Sequence, residues 1–296
     1  MDCRPWIGEY MRRKNLICTA GLIFLLILLQ TLLVLAAEPH VHLQQRVSTG
    51  SAPVIDGRLT AGEWDDAAKL PPFYQVDSMM NRSDLLNEVY LKYDRKALYI
   101  GFKTHAGIDL DLKPTPFDSQ AITGVECLDV RLIVKGQKQW RRFAVERTGS
   151  KLDQLFRGHI MDNPSDWNPA WEYKCHLTPM EFSSWSVWEG EIAIPWAALE
   201  IEYPAEARRL SAMFIRYHGN VSLSDTTGKS RITSWNLCRD NVDLIFDANY
   251  GSMDLVPDKP VFRFDSLSTF PQAAGNVSGS MVGPGAEKGG NLNVAA

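Results

Sequence analysis

The chain has 296 residues, 45% of them hydrophobic and 22% charged, with a net charge of −4. That composition can fill a sizeable core and excludes a wholly disordered chain. No sustained basic stripe breaks the acidic balance, which argues against a nucleic-acid partner.

Residues 1–15 hold Arg4, Arg12, Arg13 and Lys14 against Asp2 and Glu9. Residues 16–37 are apolar except for Thr19, Gln30 and Thr31, and carry no charge. A basic flank before an apolar run is an export segment with its N-terminus inside. The run is about 22 residues, long enough to span a bilayer. Val34-Leu35-Ala36, however, offers a small-residue cleavage site. Residues 1–37 are therefore either a cleaved signal peptide or a signal anchor. The remainder is expected outside the cytoplasm, secreted, periplasmic or tethered, with membrane contact only through 16–37 if they are retained.

Residues 38–52 read as a polar linker, and 53–265 as one β-domain. Asp56-Gly57 is a strong turn signal. Residues 59–68 read as a turn and short helix that pins Trp64 into the core. Val89, Leu91 and Tyr93 alternate along one strand, and Leu98, Ile100 and Phe102 along the next, across a short Asp94-Arg95-Lys96 turn. That pattern predicts a hairpin. Residues 109–124 form a polar loop with Pro114 and Pro116, and a further strand covers 128–134. After the turn at Gly136-Gln137, 140–146 pairs back. A second polar loop holds Asp162, Asp166, Trp167 and Asn168, and a strand covers 171–176.

The central stretch is 185–199. Trp188, Gly190, Ile192 and Ile194 share one face, and Val187, Glu189, Glu191 and Ala193 the other. Pro195 cannot donate to a ladder, so pairing should end there and 196–199 should form one helical turn. Met213, Ile215 and Tyr217 align along a strand over 210–218, and strands at 251–256 and 261–264 close the sheets. Residues 266–296, rich in Gly, Ser and Ala, are expected to be a disordered tail. The fold class that follows is all-β, a two-sheet antiparallel sandwich of jelly-roll type behind an N-terminal hydrophobic helix.

The order of motifs adds to this. Ile55-Asp56-Gly57 with Trp64 and Ala67 opens the domain. Val89-Tyr90-Leu91-Lys92-Tyr93-Asp94 with Leu98-Tyr99-Ile100 follows. Trp188-Glu189-Gly190-Glu191-Ile192-Ala193-Ile194-Pro195-Trp196 comes later, then Ser234-Trp235 and Tyr250-Gly251-Ser252-Met253-Asp254-Leu255. Over residues 53–256 this resembles the family 9 carbohydrate-binding modules and the wider DOMON-like sandwich group. The resemblance implies a non-catalytic sandwich that binds sugars, clamped between two tryptophans with a carboxylate and amides nearby. The clamp positions fall near Val125 and near Leu244 or Phe246, and the acidic position at Arg131. None of these is the expected residue type, so the sugar site has either decayed or moved elsewhere.

Sugar sites need flat aromatic faces beside groups that bind hydroxyls. The candidates for an oligosaccharide or polysaccharide are Trp167, flanked by Asp166 and Asn168, together with Trp171 and Trp235. The bland alternative for each tryptophan is core packing. Glu189 and Glu191 lie two apart on one strand, a separation open to glycoside hydrolysis, although a solvated strand face is the commoner origin of such a pattern. No cofactor is expected beyond calcium, for which Asp109, Asp111 and Asp162, with Asp166, supply oxygens without a recognised spacing. The alternative functions are a partner-binding sandwich with a decayed sugar site, and a haem-binding electron-transfer domain using Met161, Met180, Met213 or His218. Cys127, Cys175 and Cys238 allow one disulfide or three buried thiols. Three Asn-X-Ser triplets, at Asn81, Asn220 and Asn276, match glycosylation acceptors.

Overall fold

The computed structural model describes residues 43–77, 83, 85–107, 113–157, 167–183, 185–219, 232–268, 276–286 and 291–295. The export segment expected at 16–37 lies outside the described residues. Among those described, no helix is long and apolar enough to cross a membrane.

Strands dominate. In chain order they are β1 (Gln44–Ser48), β2 (Ala68–Lys69), β3 (Tyr74–Gln75), β4 (Asn87–Tyr93), β5 (Ala97–Gly107), β6 (Cys127–Val134), β7 (Gln139–Glu146), β8 (Lys151–Arg157), β9 (Glu172–Pro179), β10 (Trp185–Pro195), β11 (Arg208–Tyr217), β12 (Ile232–Ser234), β13 (Gly251–Val256), β14 (Val261–Ser268), β15 (Asn276–Val282) and β16 (Asn291–Ala295). Short 3-10 turns at Gln120–Gly124, Trp196–Leu199 and Asp247–Asn249 are the helical elements. An eight-stranded sheet runs β1-β13-β11-β6-β7-β8, with β12 beside β11 and β3 beside β12. A five-stranded sheet runs β2-β4-β5-β10-β9, and β14-β15-β16 form a small third sheet. The sandwich core lies where the apolar faces of the two large sheets meet. Leu128, Val130, Leu132, Phe143 and Phe214 from one sheet pack with Leu91, Ile100, Phe102, Trp188 and Ile192 from the other.

The alternation in β10 decides its packing. Trp188, Ile192 and Ile194 enter the core. Gly190 leaves room for the Phe102 ring, whose Cζ lies 2.3 Å from where an added Cβ would sit. Pairing with β5 ends at Pro195, opposite Ala97. The Trp196–Leu199 turn follows, closed by Glu200 in the left-handed region at φ 54°, and the Trp196 indole donates to the Asp94 carbonyl at 2.9 Å.

The other face of β10 departs from the solvated face expected for Glu189 and Glu191. Glu191 is fully buried. Its carboxylate accepts from the Trp64 indole, the Asp56 amide and the Gly57 amide, each at 2.9 Å. Residues 61–66 form consecutive turns rather than a helix, and they carry Trp64 over Tyr90, Tyr99 and Ala193. Glu189 stays nearer the surface, 3.5 Å from Lys103.

Two boundaries also differ. The expected linker at 38–52 contains β1, which pairs in parallel with β13 from Gln44 opposite Ser252 to Ser48 opposite Val256. The expected tail at 266–296 contains all of β15 and β16 and the end of β14. Small residues are what allow it to pair: a Cβ on Gly279 would lie 2.0 Å from the Phe262 ring. Val282 then packs with Val261, Val256 and Ala68. Cys127, Cys175 and Cys238 are free thiols, and burial pushes Cys238 up to about 11.

Candidate functional site

The first residues of β8 gather aromatic rings and polar groups of both signs. β7 and β8 are joined by a hairpin turn in which Gly149 takes φ 100° and its amide donates to the Glu146 carbonyl at 3.1 Å. β8 is the edge strand of its sheet. The 115–118 segment covers its start: the Asp118 amide donates to the Lys151 carbonyl at 3.1 Å, and the Ser150 hydroxyl donates to the Thr115 carbonyl. This places Phe117, 69% exposed, at the edge of the sheet.

Trp167 and Trp171 reach the same place from the loop before β9. Both meet Phe143 of β7 edge-on, at ring-centroid distances of 5.9 and 5.3 Å. Phe143 is paired with Asp153 of β8, and the Trp171 indole donates to the Asp153 carboxylate at 2.8 Å. The Lys151 ammonium donates to the Trp171 carbonyl at 2.8 Å and lies 4.5 Å from the Trp171 ring. The two tryptophans divide the work. Trp171 is 4% exposed and belongs to the core. Trp167 is half-buried, and Asn168 beside it is exposed. Burial raises the Asp153 carboxyl, and the charge of Asp118 adds to the rise, while the Trp171 indole and Lys151 pull it back.

Trp235 is not part of this cluster. It is 1% exposed, packs on Phe214 at 5.9 Å, and fixes the segment after β12 through its amide, which donates to the Phe214 carbonyl at 2.9 Å. Its ring faces the core and is closed to a sugar in this conformation. Asp166, Asp109, Asp111 and Asp162 lie outside the described residues. Among those described, no group of three His, Cys, Asp or Glu side chains is placed to hold a metal. The methionine and histidine candidates are dispersed: Met213 packs with Ile215, Cys238 and Leu244, His218 lies 3.3 Å from the Thr233 hydroxyl, and Met180 follows β9 of the other sheet. Met161 is outside the described residues.

Of the positions that the family resemblance marks, Leu244 and the acidic position Arg131 are buried, while Phe246 is exposed. Arg131 is buried on the outer face of the eight-stranded sheet. It pairs with Asp129 at 3.0 Å and donates to the Leu244 carbonyl at 2.7 Å, so the chain's own 239–250 segment fills the space. Burial alone would raise the Asp129 carboxyl, but Arg131 and Arg142 beside it hold it below the ordinary value. Sequence reasoning missed Phe117, Asp118, Lys151 and Asp153. Phe117 offers no periodic signal, and Asp153 and Lys151 become neighbours of Trp171 only through the β7–β8 register.

No family model matches the chain, and no curated protein matches it. Among solved structures, it is similar to a candidate carbohydrate-binding protein from Bacteroides uniformis, at 11% identity and a TM-score of 0.54, over 73% of this chain and 100% of that one. It also aligns with a family 9 carbohydrate-binding module from Caldicellulosiruptor kristjanssonii solved with cellotriose, at 14% identity and a TM-score of 0.46, covering 73% of this chain and 95% of that one. The module solved with glucose aligns at 14% identity and 0.47, over 73% and 97%. The first likeness establishes the sandwich fold.

Proposed function

We propose that the chain is an exported, non-catalytic carbohydrate-binding protein that stacks a sugar on Trp167. The observation that carries this is the half-buried Trp167 ring, set edge-on against Phe143 and next to the exposed Asn168. A flat ring fixed by a neighbouring ring, with an exposed amide beside it, is what a pyranose face and its hydroxyls need. Carbohydrate binding ascribed to the Bacteroides uniformis protein of the same fold supports the reading. The non-catalytic part draws on Glu191, whose carboxylate is occupied by three donors and enclosed beneath Trp64.

The test is retention of the full-length protein on insoluble xylan, cellulose, chitin and pectin, followed by calorimetry on oligomers. Trp167→Ala should keep its far-ultraviolet circular dichroism and lose at least about ten-fold in affinity, equal to ~1.4 kcal/mol. A well-folded wild type that binds none of these glycans overturns the reading. One observation favours a second reading, a partner-binding sandwich: Val242, Ile245 and Phe246 are all exposed on one short segment. In that case Phe246→Ser and Val242→Ser would abolish binding to the partner and leave glycan retention untouched.

A further inference from the structure

A second surface has a different chemistry. Where β1, β13, β11 and β6 lie side by side, a groove of about 800 Å³ runs past Arg46, Lys135, Gln137, Arg208, Arg209 and Asp254. The register explains the clustering: Arg46 and Arg209 both sit opposite Asp254, from the strands on either side of it, and the Lys135 amide donates to the Arg209 carbonyl at 3.4 Å. Arg46, Arg209 and Lys135 therefore lie on the side of the one carboxylate, and Arg208, opposite Leu255 in the alternate phase of β11, is exposed at the margin of the groove, on a chain whose net charge is −4.

That carboxylate is already held. Arg209 grips Asp254 through Nε at 2.6 Å and Nη2 at 2.9 Å, and Gln44 donates to it at 2.5 Å. Among the described residues, Arg46, Lys135 and Arg208 form no salt bridge. All three are exposed, so a ligand reaches them without burying charge. Two of the three are arginines, whose planar fork matches a carboxylate through two parallel bonds. The Arg209–Asp254 pair shows that geometry already made in the groove floor.

We propose that this groove binds an acidic polysaccharide through its carboxylates, as a surface separate from the Trp167 platform. The charge excess concentrates an anionic polymer at the groove, and the open shape accepts a chain.

The test uses the full-length protein, with polygalacturonate, dextran sulfate and neutral xylan as probes at low salt. A triple variant, Arg46→Ala with Lys135→Ala and Arg208→Ala, avoids stranding Asp254. It should weaken polygalacturonate binding at least about ten-fold while leaving xylan retention unchanged. Lys174→Ala, an exposed cation on β9 of the other sheet, should leave polygalacturonate binding intact. Trp167→Ala should lose xylan and keep polygalacturonate, which separates failure of one surface from failure of the other. The proposal is overturned if polygalacturonate does not bind, if Lys174→Ala weakens it as much as the triple variant does, or if dextran sulfate binds more tightly.

Discussion

Glu191 shows how much one buried side chain can organise. It ties the Asp56-Gly57 turn and the Trp64 indole to the middle of β10. Glu191→Ala would leave three donors without their acceptor and should cost about 3 kcal/mol or more in denaturant titration. Glu191→Gln keeps one carbonyl oxygen and should cost less. Asp153 gives a pH signature. Its folded pKa is raised above the ordinary 3.8, so the folded chain holds that proton to higher pH than the unfolded chain does. Stability from this group is complete below the unfolded value and is lost as pH rises through the folded value. Asp129 is lowered instead, so its contribution is present above 3.8 and is lost on acidification through its folded value. Asp153→Asn should therefore flatten the decline in denaturation midpoint just above pH 3.8 and leave the acid limb in place, as measured by urea titration across pH. None of this was legible in sequence, because Glu191 alternates as a solvated residue would and only the Trp64 turn covers it.

At the scale of the element, β10 was the most legible part of the chain. Its period of two, its proline stop and the single turn after it follow from local chemistry, and the structure reproduces them. The hairpin of β4 and β5 was equally plain, since both strands alternate around a turn of three residues. Gly190 is the sensitive point in this element. Phe102, which occupies the space above it, meets Trp188 edge-on at 4.9 Å and stacks near Tyr173 at 6.5 Å, so it has little freedom to retreat. Gly190→Ala should destabilise by about 2 kcal/mol or more through overpacking, seen as a lowered Tm. β1 was illegible because Val47 is the only large apolar side chain in Gln44–Ser48. Its strand state comes from the β13 edge that it pairs with rather than from its own pattern.

For the whole molecule, the sandwich could be read from turn-punctuated alternation, while the fate of each tryptophan could not. Trp167, Trp171 and Trp235 share a residue type and a loop-like neighbourhood, yet one lies at the surface and two are enclosed. Burial depends on which strands become neighbours, and a single sequence does not state that. The third sheet was hidden for a related reason. Its Gly- and Ser-rich composition resembles a linker, and its order depends on the partner surface formed by Val256 and Ala68. Truncation after residue 258 removes Val261 and Val282 from that cluster. It should lower stability by roughly 2–4 kcal/mol for two buried valines and the surface that they cover, measurable as a drop in Tm. An unchanged Tm would mean that the third sheet adds nothing to the fold.

The parallel pairing of β1 with β13 has a consequence in time. Gln44 meets Ser252, so the first strand of the domain waits for one of the last. At ribosomal speeds of about 5–20 residues per second, the gap of roughly 200 residues is a delay of roughly 10–40 s. During that interval the sheet lacks its outer edge, and folding dominated by such distant pairings is slow in any case. Until β13 has been made, β1 has no strand to pair with, so completion of that edge is tied to the end of synthesis.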